Sequence, residues 1–258
     1  MNTVIALDAG HGYLTAGKRC MKKLDPDQTR EWYLNDRIMD MVEILLRDYD
    51  CTVLRVGDTS GRKDISLAAR VKAANAARSS IYLSMHHNAG LYGRKGGDSV
   101  VFYYANNTER RAQAKRLYDQ IVLQTGLIGN RVETVIKKNF YVLKNTIMPA
   151  FLVENGFMDS AEDVPIILSR EHAEKTAQDV VAFLVNEFSL KSRTIQNEQV
   201  ILPELFYPAY TEEGTTLSIA LQTLGIDYSY DFRKRWQHQI ILRIIVVLPL
   251  KIHKYIIC

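Results

Sequence analysis

The sequence is poor in cysteine, with only Cys20, Cys51 and Cys258 among 258 residues. No two of them form a Cys-x-x-Cys pair, so neither a disulfide framework nor a cysteine zinc site is indicated. Long apolar runs are also missing, because the longest one in the C-terminal part, residues 244–250, is far shorter than the roughly 20 residues of a transmembrane helix. The first residues lack the basic segment and apolar core of a signal peptide. We therefore expect intracellular synthesis and no membrane span.

An excess of charge of either sign is missing as well. The sequence has 33 Lys and Arg against 29 Asp and Glu, a formal net charge of +4. Six of the 33 basic residues follow Asp231, where no acidic residue occurs, so the preceding part holds 27 basic and 29 acidic residues. No basic surface for a nucleic-acid partner is indicated. Hydrophobic residues make up 47% and charged residues 24% of the chain, a composition typical of globular proteins rather than of disordered or fibrous ones.

Short runs rich in β-branched residues alternate with longer segments of helical periodicity. We predict strands over residues 3–7, 52–56, 81–85, 99–104, 141–143 and 150–153, and helices over 31–49, 66–78, 108–124 and 171–188. This alternation predicts an α/β domain with three layers, in which helices flank a largely parallel central sheet. We assign residues 1–189 to this domain, 190–213 to a linker and 214–258 to a short C-terminal appendage.

Polar residues follow three of the predicted strands. The first strand runs into Asp8-Ala9-Gly10-His11-Gly12, the strand over 81–85 into His86-His87-Asn88, and the strand over 150–153 into Glu154. Ligand sites of open α/β sheets lie at the carboxyl ends of strands, so these side chains are candidates for one shared site. Imidazole and carboxylate groups bind zinc well, and a hydrolytic zinc takes three protein ligands and an open fourth position.

Glu31 is the candidate for a further carboxylate, because it opens a predicted helix after the polar loop 22–30. If three of these groups bind zinc, the remaining carboxylate can transfer the proton of an attacking water, which suits amide hydrolysis. The alternatives are that Glu31 only stabilises a helix N-terminus, and that a histidine at a strand end is simply a hydrogen-bonded polar group. His87 is not a candidate ligand beside His86, since adjacent strand residues face opposite ways.

These motifs, in this order, resemble the zinc-dependent N-acetylmuramoyl-L-alanine amidases of the amidase-3 type. The similarity lies in LDAGHG at residues 7–12, EWYLN at 31–35, SLAAR with ANA at 66–76, LSMHHNA at 83–89, and VLKNT, MPA and LVENGF within 142–157. It implies that His11, Glu31 and His86 bind zinc and that Glu154 is the general base and then the acid. The substrate it implies is bacterial peptidoglycan, cut between N-acetylmuramic acid and the L-alanine of the stem peptide. The loop GYLTAG at 12–17 departs from the family by lacking its usual glycine-aspartate.

Two alternatives to this activity stay open. A zinc peptidase that cuts within the stem peptide would use the same metal, water and glutamate. A non-catalytic cell-wall-binding protein would be built on the same scaffold. The lack of a signal peptide, together with a small extra module, resembles a phage or prophage endolysin. We therefore expect synthesis in the bacterial cytoplasm and action on the wall after release through a permeabilised membrane.

The end of the sequence has an unusual character. Residues 215–235 resemble a short cell-wall-binding module of some bacterial amidases, but the expected continuation is replaced by a basic, apolar segment. We interpret this change as a frameshift near Arg235, which resequencing of the gene would test. Membrane attachment through the basic segment is the competing interpretation. The sequence does not indicate an oligomeric state.

Overall fold

The structure is a computed structural model that describes residues 3–104, 108–128 and 133–193. Its strands are β1 (Thr3–Ala9), β2 (Cys51–Arg55), β3 (Ile81–Asn88), β4 (Ser99–Tyr103), β5 (Val135–Lys137) and β6 (Ala150–Phe157). Its helices are α1 (Glu31–Leu46), α2 (Leu67–Ala76), α3 (Thr108–Thr125), α4 (Tyr141–Asn145), α5 (Asp163–Leu168) and α6 (Arg170–Phe188).

The six strands form one sheet in the order β2-β1-β3-β6-β4-β5. Neighbouring strands are parallel except β4 and β6, which are antiparallel, so the predicted α/β fold with a largely parallel sheet is confirmed. From β1 the chain moves outward to β2 and then returns to β3 on the other side of β1. The strand order therefore reverses between β1 and β3, and a crevice for a ligand is expected at their carboxyl ends.

Helices cover both faces of the sheet. Side chains of α1, α3 and α6 pack with Ile5 and Leu7 of β1 and with Met85 of β3 in one core cluster. Side chains of α2 and α4 pack with Ala6 of β1 and Tyr82 of β3 in a second cluster on the opposite face. Alternate residues of each strand thus face different helix layers, as the two-residue repeat of a strand requires. The three predicted layers are confirmed.

Several elements differ from the sequence prediction, including β5 and α5, which the sequence pattern does not predict. Residues 141–143, predicted as a strand, begin the helix α4, in which the backbone N–H groups of Leu143 and Lys144 both donate to Phe140 O at 3.1 and 2.9 Å. The triplet Tyr-Val-Leu is too short for its periodicity to distinguish a strand from a helical turn. The strand β6 continues through Glu154 to Phe157, because its backbone stays paired with β3 and β4 beyond the apolar run.

The chain after α6 returns to the turn between α1 and β2. The Asp50 N–H donates to Lys191 O at 2.8 Å and the Arg193 N–H donates to Asp48 O at 2.8 Å. The remainder of the predicted linker, 194–213, and the predicted appendage, 214–258, lie outside the described residues, so both stay predictions, as does the frameshift. Within the described ranges, none of the helices combines the length and apolar character needed to cross a membrane.

Candidate active site

His11 follows β1 in a tight loop at the switch point of the sheet. The Gly10 N–H donates to Met85 O at 3.0 Å, which keeps the loop against β3. His11 itself has a φ of 70°, in the left-handed region that few residues other than glycine adopt. Its carbonyl oxygen accepts a hydrogen bond from Arg70 Nη2 at 2.7 Å. The unusual backbone of His11 is therefore held by a side chain from α2.

Gly10 permits a close approach between the loop and the His86 ring. A Cβ atom at Gly10 would lie 2.1 Å from Cε1, 2.3 Å from Nε2 and 2.5 Å from Nδ1 of His86. These distances are far below van der Waals contact, so the position excludes every residue with a side chain unless the ring moves. The rings of His11 and His86 lie perpendicular to each other with centroids 4.9 Å apart.

Glu31 is the first residue of α1, and only 1% of it is exposed. Its Oε1 lies 3.2 Å from His11 Nε2 and 3.0 Å from His86 Nδ1. The backbone N–H of His87 also donates to this oxygen, at 3.3 Å. One potential ligand atom from each of Glu31, His11 and His86 lies within 4.8 Å of the others. The structure thus brings together the three residues that the sequence suggests as metal ligands.

The electrostatics of this cluster suit a cation. Burial alone would raise the pKa of Glu31, but its contacts with His11 and His86 outweigh burial and hold the pKa well below the usual range. Burial likewise opposes protonation of His86, and the contact with Glu31 and the charge of Glu154 outweigh it, so the pKa of His86 is raised. A carboxylate that is ionised between two imidazoles provides the charge that a divalent ion requires.

Two buried atoms of the cluster support the same conclusion. His11 Nε2 and Glu31 Oε2 are shielded from solvent, and neither makes a hydrogen bond within the described parts of the chain. Buried polar atoms normally have a hydrogen-bond partner, so buried atoms without one indicate a ligand. Two imidazole nitrogens and one carboxylate are also a known ligand set of catalytic zinc. The residues therefore fit the implied metal.

Glu154 lies on β6 directly beside His86 on β3, because the two residues are paired in register in the parallel ladder. Paired residues of neighbouring strands face the same side of the sheet. Both side chains line a cleft of about 590 Å³ that also includes His11 and Lys18. The four predicted site residues, His11, Glu31, His86 and Glu154, thus lie around one end of the sheet, and their roles stay predictions.

The cleft extends from the cluster over an apolar surface. Leu67, Phe140 and Tyr141 line it and are 52%, 38% and 46% exposed, respectively. A smaller adjoining cavity of about 310 Å³ shares Lys18 and Glu154 with the cleft. Lys18 Nζ lies 3.5 Å from Glu31 Oε2, so it places a positive charge between the two spaces. Both spaces therefore give access to Glu154.

His87 does not join the cluster. Its ring lies on the α1 side of the sheet, where Nδ1 is 2.8 Å from Asn35 Oδ1. Asn35 in turn donates from Nδ2 to Gly10 O at 3.2 Å. Burial lowers the pKa of His87 well below its usual value, so the ring is neutral at neutral pH. His87 and Asn35 therefore form a neutral, buried support beneath the His11 loop.

Sequence reasoning missed the supporting residues Asp8 and Arg70. Both are nearly inaccessible to solvent, and they form an ion pair beneath the His11 loop. The available signal was a carboxylate directly after the apolar run of β1, since an unpaired buried charge is costly and requires a partner. Nothing in the sequence identifies Arg70 as that partner, because α2 is 62 residues away from Asp8 along the chain.

Comparison with known proteins gives one consistent result. Residues 5–186 match the family Amidase_3, described as N-acetylmuramoyl-L-alanine amidase. A germination-specific N-acetylmuramoyl-L-alanine amidase of Bacillus subtilis (strain 168) is 26% identical over 196 residues, which cover 73% of this chain and 81% of that protein. The endolysin of Bacillus phage SPP1 is 25% identical over 196 residues, covering 75% of this chain and 69% of the endolysin.

A solved structure supports the fold. The N-acetylmuramoyl-L-alanine amidase of Clostridium difficile 630 has a TM-score of 0.65 and 23% identity, and the match covers 73% of this chain and 97% of that one. The family match spans well over half of the chain and includes every residue of the cluster and Glu154. The chain therefore belongs to the Amidase_3 family of N-acetylmuramoyl-L-alanine amidases and is a peptidoglycan hydrolase that cleaves the bond between N-acetylmuramic acid and L-alanine, as the motifs implied.

Proposed function

We propose that the enzyme is zinc-dependent, with His11, Glu31 and His86 as the zinc ligands and Glu154 as the residue that transfers protons. The observation that carries the proposal is the grouping of three ligand atoms within 4.8 Å of one another, with two buried atoms that make no hydrogen bond. The second support is the register of the sheet, which sets Glu154 beside His86.

Zinc bound there would polarise the scissile carbonyl group and make a nearby water more acidic. Glu154, on the neighbouring strand and within the same cleft, takes the proton of the attacking water. It then donates this proton to the leaving nitrogen of L-alanine, which must leave as a neutral amine. Glu31 remains a carboxylate throughout, since its contacts with His11 and His86 outweigh burial and hold its pKa well below the usual range.

Lys18 is placed to assist the same step. Its ammonium group lines both cavities that contain Glu154, and 43% of its side chain is exposed. A positive charge beside the scissile bond stabilises negative charge that develops on the carbonyl oxygen. This role acts in the direction of amide hydrolysis.

The test is the product pattern of purified cell wall after treatment with wild type and with Glu154→Gln. Glutamine keeps the size of the side chain and removes proton transfer, so we expect a loss of rate of about 10²-fold to 10⁴-fold. Mass spectrometry should detect stem peptides with a free L-alanine amino terminus from wild type alone. Both proteins should contain one zinc ion, because Glu154 is not a proposed ligand.

The same experiment separates the alternatives. Cleavage within the stem peptide would identify a zinc peptidase. Absence of cleavage by zinc-loaded wild type would identify a wall-binding protein. A wild-type protein that is active after complete removal of metal would contradict zinc dependence. His11→Ala serves as the ligand control, since it should lose both zinc and activity while Glu154→Gln loses activity alone.

We further propose that the enzyme reaches the wall from the cytoplasm after the membrane is permeabilised. The similarity to the endolysin of Bacillus phage SPP1 supports this route. Cells that express the protein should stay intact until a pore-forming agent is added and should lyse soon afterwards. Lysis without the agent, or recovery of the protein from the medium of intact cells, would contradict the route.

A further inference from the structure

The guanidinium group of Arg70 is 1% exposed, and each of its five N–H donors has an acceptor. Nε donates to Ile65 O at 2.8 Å. Nη1 donates to Ala9 O at 2.8 Å and to the Asp8 carboxylate. Nη2 donates to His11 O at 2.7 Å and to Asp64 Oδ1 at 3.1 Å. One side chain therefore fixes the end of β1, the His11 loop and the segment before α2.

Asp8 extends this network to the strand that carries His86. Its Oδ2 accepts hydrogen bonds from Tyr82 Oη and Ser84 Oγ, both at 2.7 Å. Tyr82 and Ser84 lie on β3 and face the same side of the sheet as His86. A continuous path of hydrogen bonds thus runs from His11 O through Arg70 and Asp8 to β3. It connects the backbones that carry the two histidines.

Asp64 adds a second connection to the same loop. Its Oδ2 accepts from Thr15 Oγ1 at 2.6 Å, and Thr15 Oγ1 accepts from the Gly12 N–H at 2.9 Å. Arg70 therefore acts on both sides of His11, directly at its carbonyl group and through Asp64 at Gly12. This bracing matters because a non-glycine residue in the left-handed region costs of order 1 kcal/mol and persists only where its surroundings impose it.

We propose that Arg70 is a positioning residue that sets the distance between His11 and His86 and thereby the affinity of the site for zinc. The inference rests on the proposed metal site and goes beyond it, since none of the hydrogen bonds of Arg70 goes to a ligand atom of the cluster. A lysine at this position keeps the charge opposite Asp8 but lacks the planar fork that reaches Ala9, His11 and Asp64 together. The effect of Arg70→Lys is therefore on geometry rather than on charge.

The experiment measures the Kd for zinc by competition with a chromophoric chelator. Loss of a group that orients a metal ligand typically weakens metal binding about 10-fold to 100-fold, so we expect that increase in Kd for Arg70→Lys. Hydrolysis by the variant should recover most of its rate when zinc is raised above the new Kd. A purely structural role would lower the melting temperature and leave the Kd unchanged.

Arg55→Lys is the matched control. Arg55 lies on β2 and is also a largely buried arginine with carboxylate partners, in this case Asp36, Asp40 and Glu43. It makes no contact with the His11 loop among the hydrogen bonds of the described residues. Arg55→Lys should lower the stability of the protein and leave its Kd for zinc within about twofold of wild type.

Each outcome decides the proposal. A raised Kd in Arg70→Lys but not in Arg55→Lys supports it, and an unchanged Kd in Arg70→Lys overturns it while the metal site itself stands. If Arg70→Lys does not fold, Asp64→Asn decides, because Asp64 is half exposed and its loss should raise the Kd in the same direction by a smaller factor. Failure of wild type to bind zinc at all, with His11→Ala behaving identically, overturns both this inference and the proposed function.

Discussion

Replacing Gly10 with alanine would place a methyl group in the space of the His86 ring. The new Cβ would lie 2.1 Å from Cε1 of that ring, whereas non-bonded carbon atoms rest at about 3.5 Å. The ring must therefore retreat by more than about 1 Å, and ligand atoms of a metal site tolerate displacements of only about 0.2 Å. A retreat of this size moves the Nδ1 atom of His86 away from its position 3.0 Å from Glu31 Oε1 and so out of the cluster.

We expect Gly10→Ala to lose zinc affinity by at least about 100-fold, since it displaces a ligand rather than a group behind a ligand. The added methyl group should also destabilise the metal-free protein by about 1–3 kcal/mol, as overpacking of an interior does. The two effects are measured separately, the first by chelator competition and the second by urea unfolding in the presence of a chelator.

Gly17→Ala is the control for adding a side chain to a glycine of this loop without a steric clash. Gly17 lies in the same loop with a φ of +74°, and a Cβ there would meet nothing within 4 Å. Its replacement should cost about 1 kcal/mol of stability through the left-handed conformation and leave zinc affinity unchanged. A Gly10→Ala variant that binds zinc as tightly as wild type would refute the steric reasoning. Equal losses of zinc affinity in Gly10→Ala and Gly17→Ala would show that the effect comes from the loop as a whole and not from the His86 ring.

Three further predictions concern two other buried residues and the metal site. Burial lowers the pKa of His172 to about 4 from 6.5, so the unfolded chain binds more protons than the folded protein between these pH values. The free energy of unfolding should therefore fall by as much as about 3 kcal/mol as the pH falls from 6.5 to about 4. Urea unfolding at neutral pH and at about pH 4 should show a smaller fall in the free energy of unfolding for His172→Gln than for wild type. An equal fall in the two proteins would contradict the assignment of this pH dependence to His172. Burial raises the pKa of Cys20 to about 12, so iodoacetamide should alkylate it only in unfolded protein, as peptide mass spectrometry would report. Zinc at 100 times its Kd should stabilise the fold by about 2.7 kcal/mol over chelated protein, and an unchanged melting temperature would exclude a site formed by folding.

Hydrophobic patterning predicts the fold well because most strands and helices are long enough to show their period. The helix predicted over 108–124 and the observed α3 differ by a single residue. The errors lie where the pattern is shortest, at α4 and the three-residue β5, or where polar residues continue a strand. Glu154 illustrates the second case, since its side chain interrupts an apolar run while its backbone stays in the ladder.

The residues of the site differ in how well the sequence predicts them. His11, Glu31, His86 and Glu154 attract attention because each is a chemically active residue next to an apolar run or a helix start. Arg70 has no such mark, since an arginine in a short alanine-rich helix is usually a solvated residue. Its importance comes from burial, and burial depends on how α2 packs against the end of β1. Supporting residues are therefore found from contacts and not from spacing.

This division has a consequence for how the protein binds metal. His11 and Glu31 are 20 positions apart, Glu31 and His86 are 55 apart, and Arg70 is 59 from His11, so the unfolded chain holds no preformed site. The pairing of β1 with β3 brings the histidines together. The buried network of Asp8 and Arg70, together with the hydrogen bonds of Gly10 to Met85 and Asn35, holds them there. The free energy of zinc binding therefore contributes to the free energy of folding. Substitutions in that network should weaken zinc binding and global stability together, whereas Glu154→Gln should keep zinc bound and lose activity.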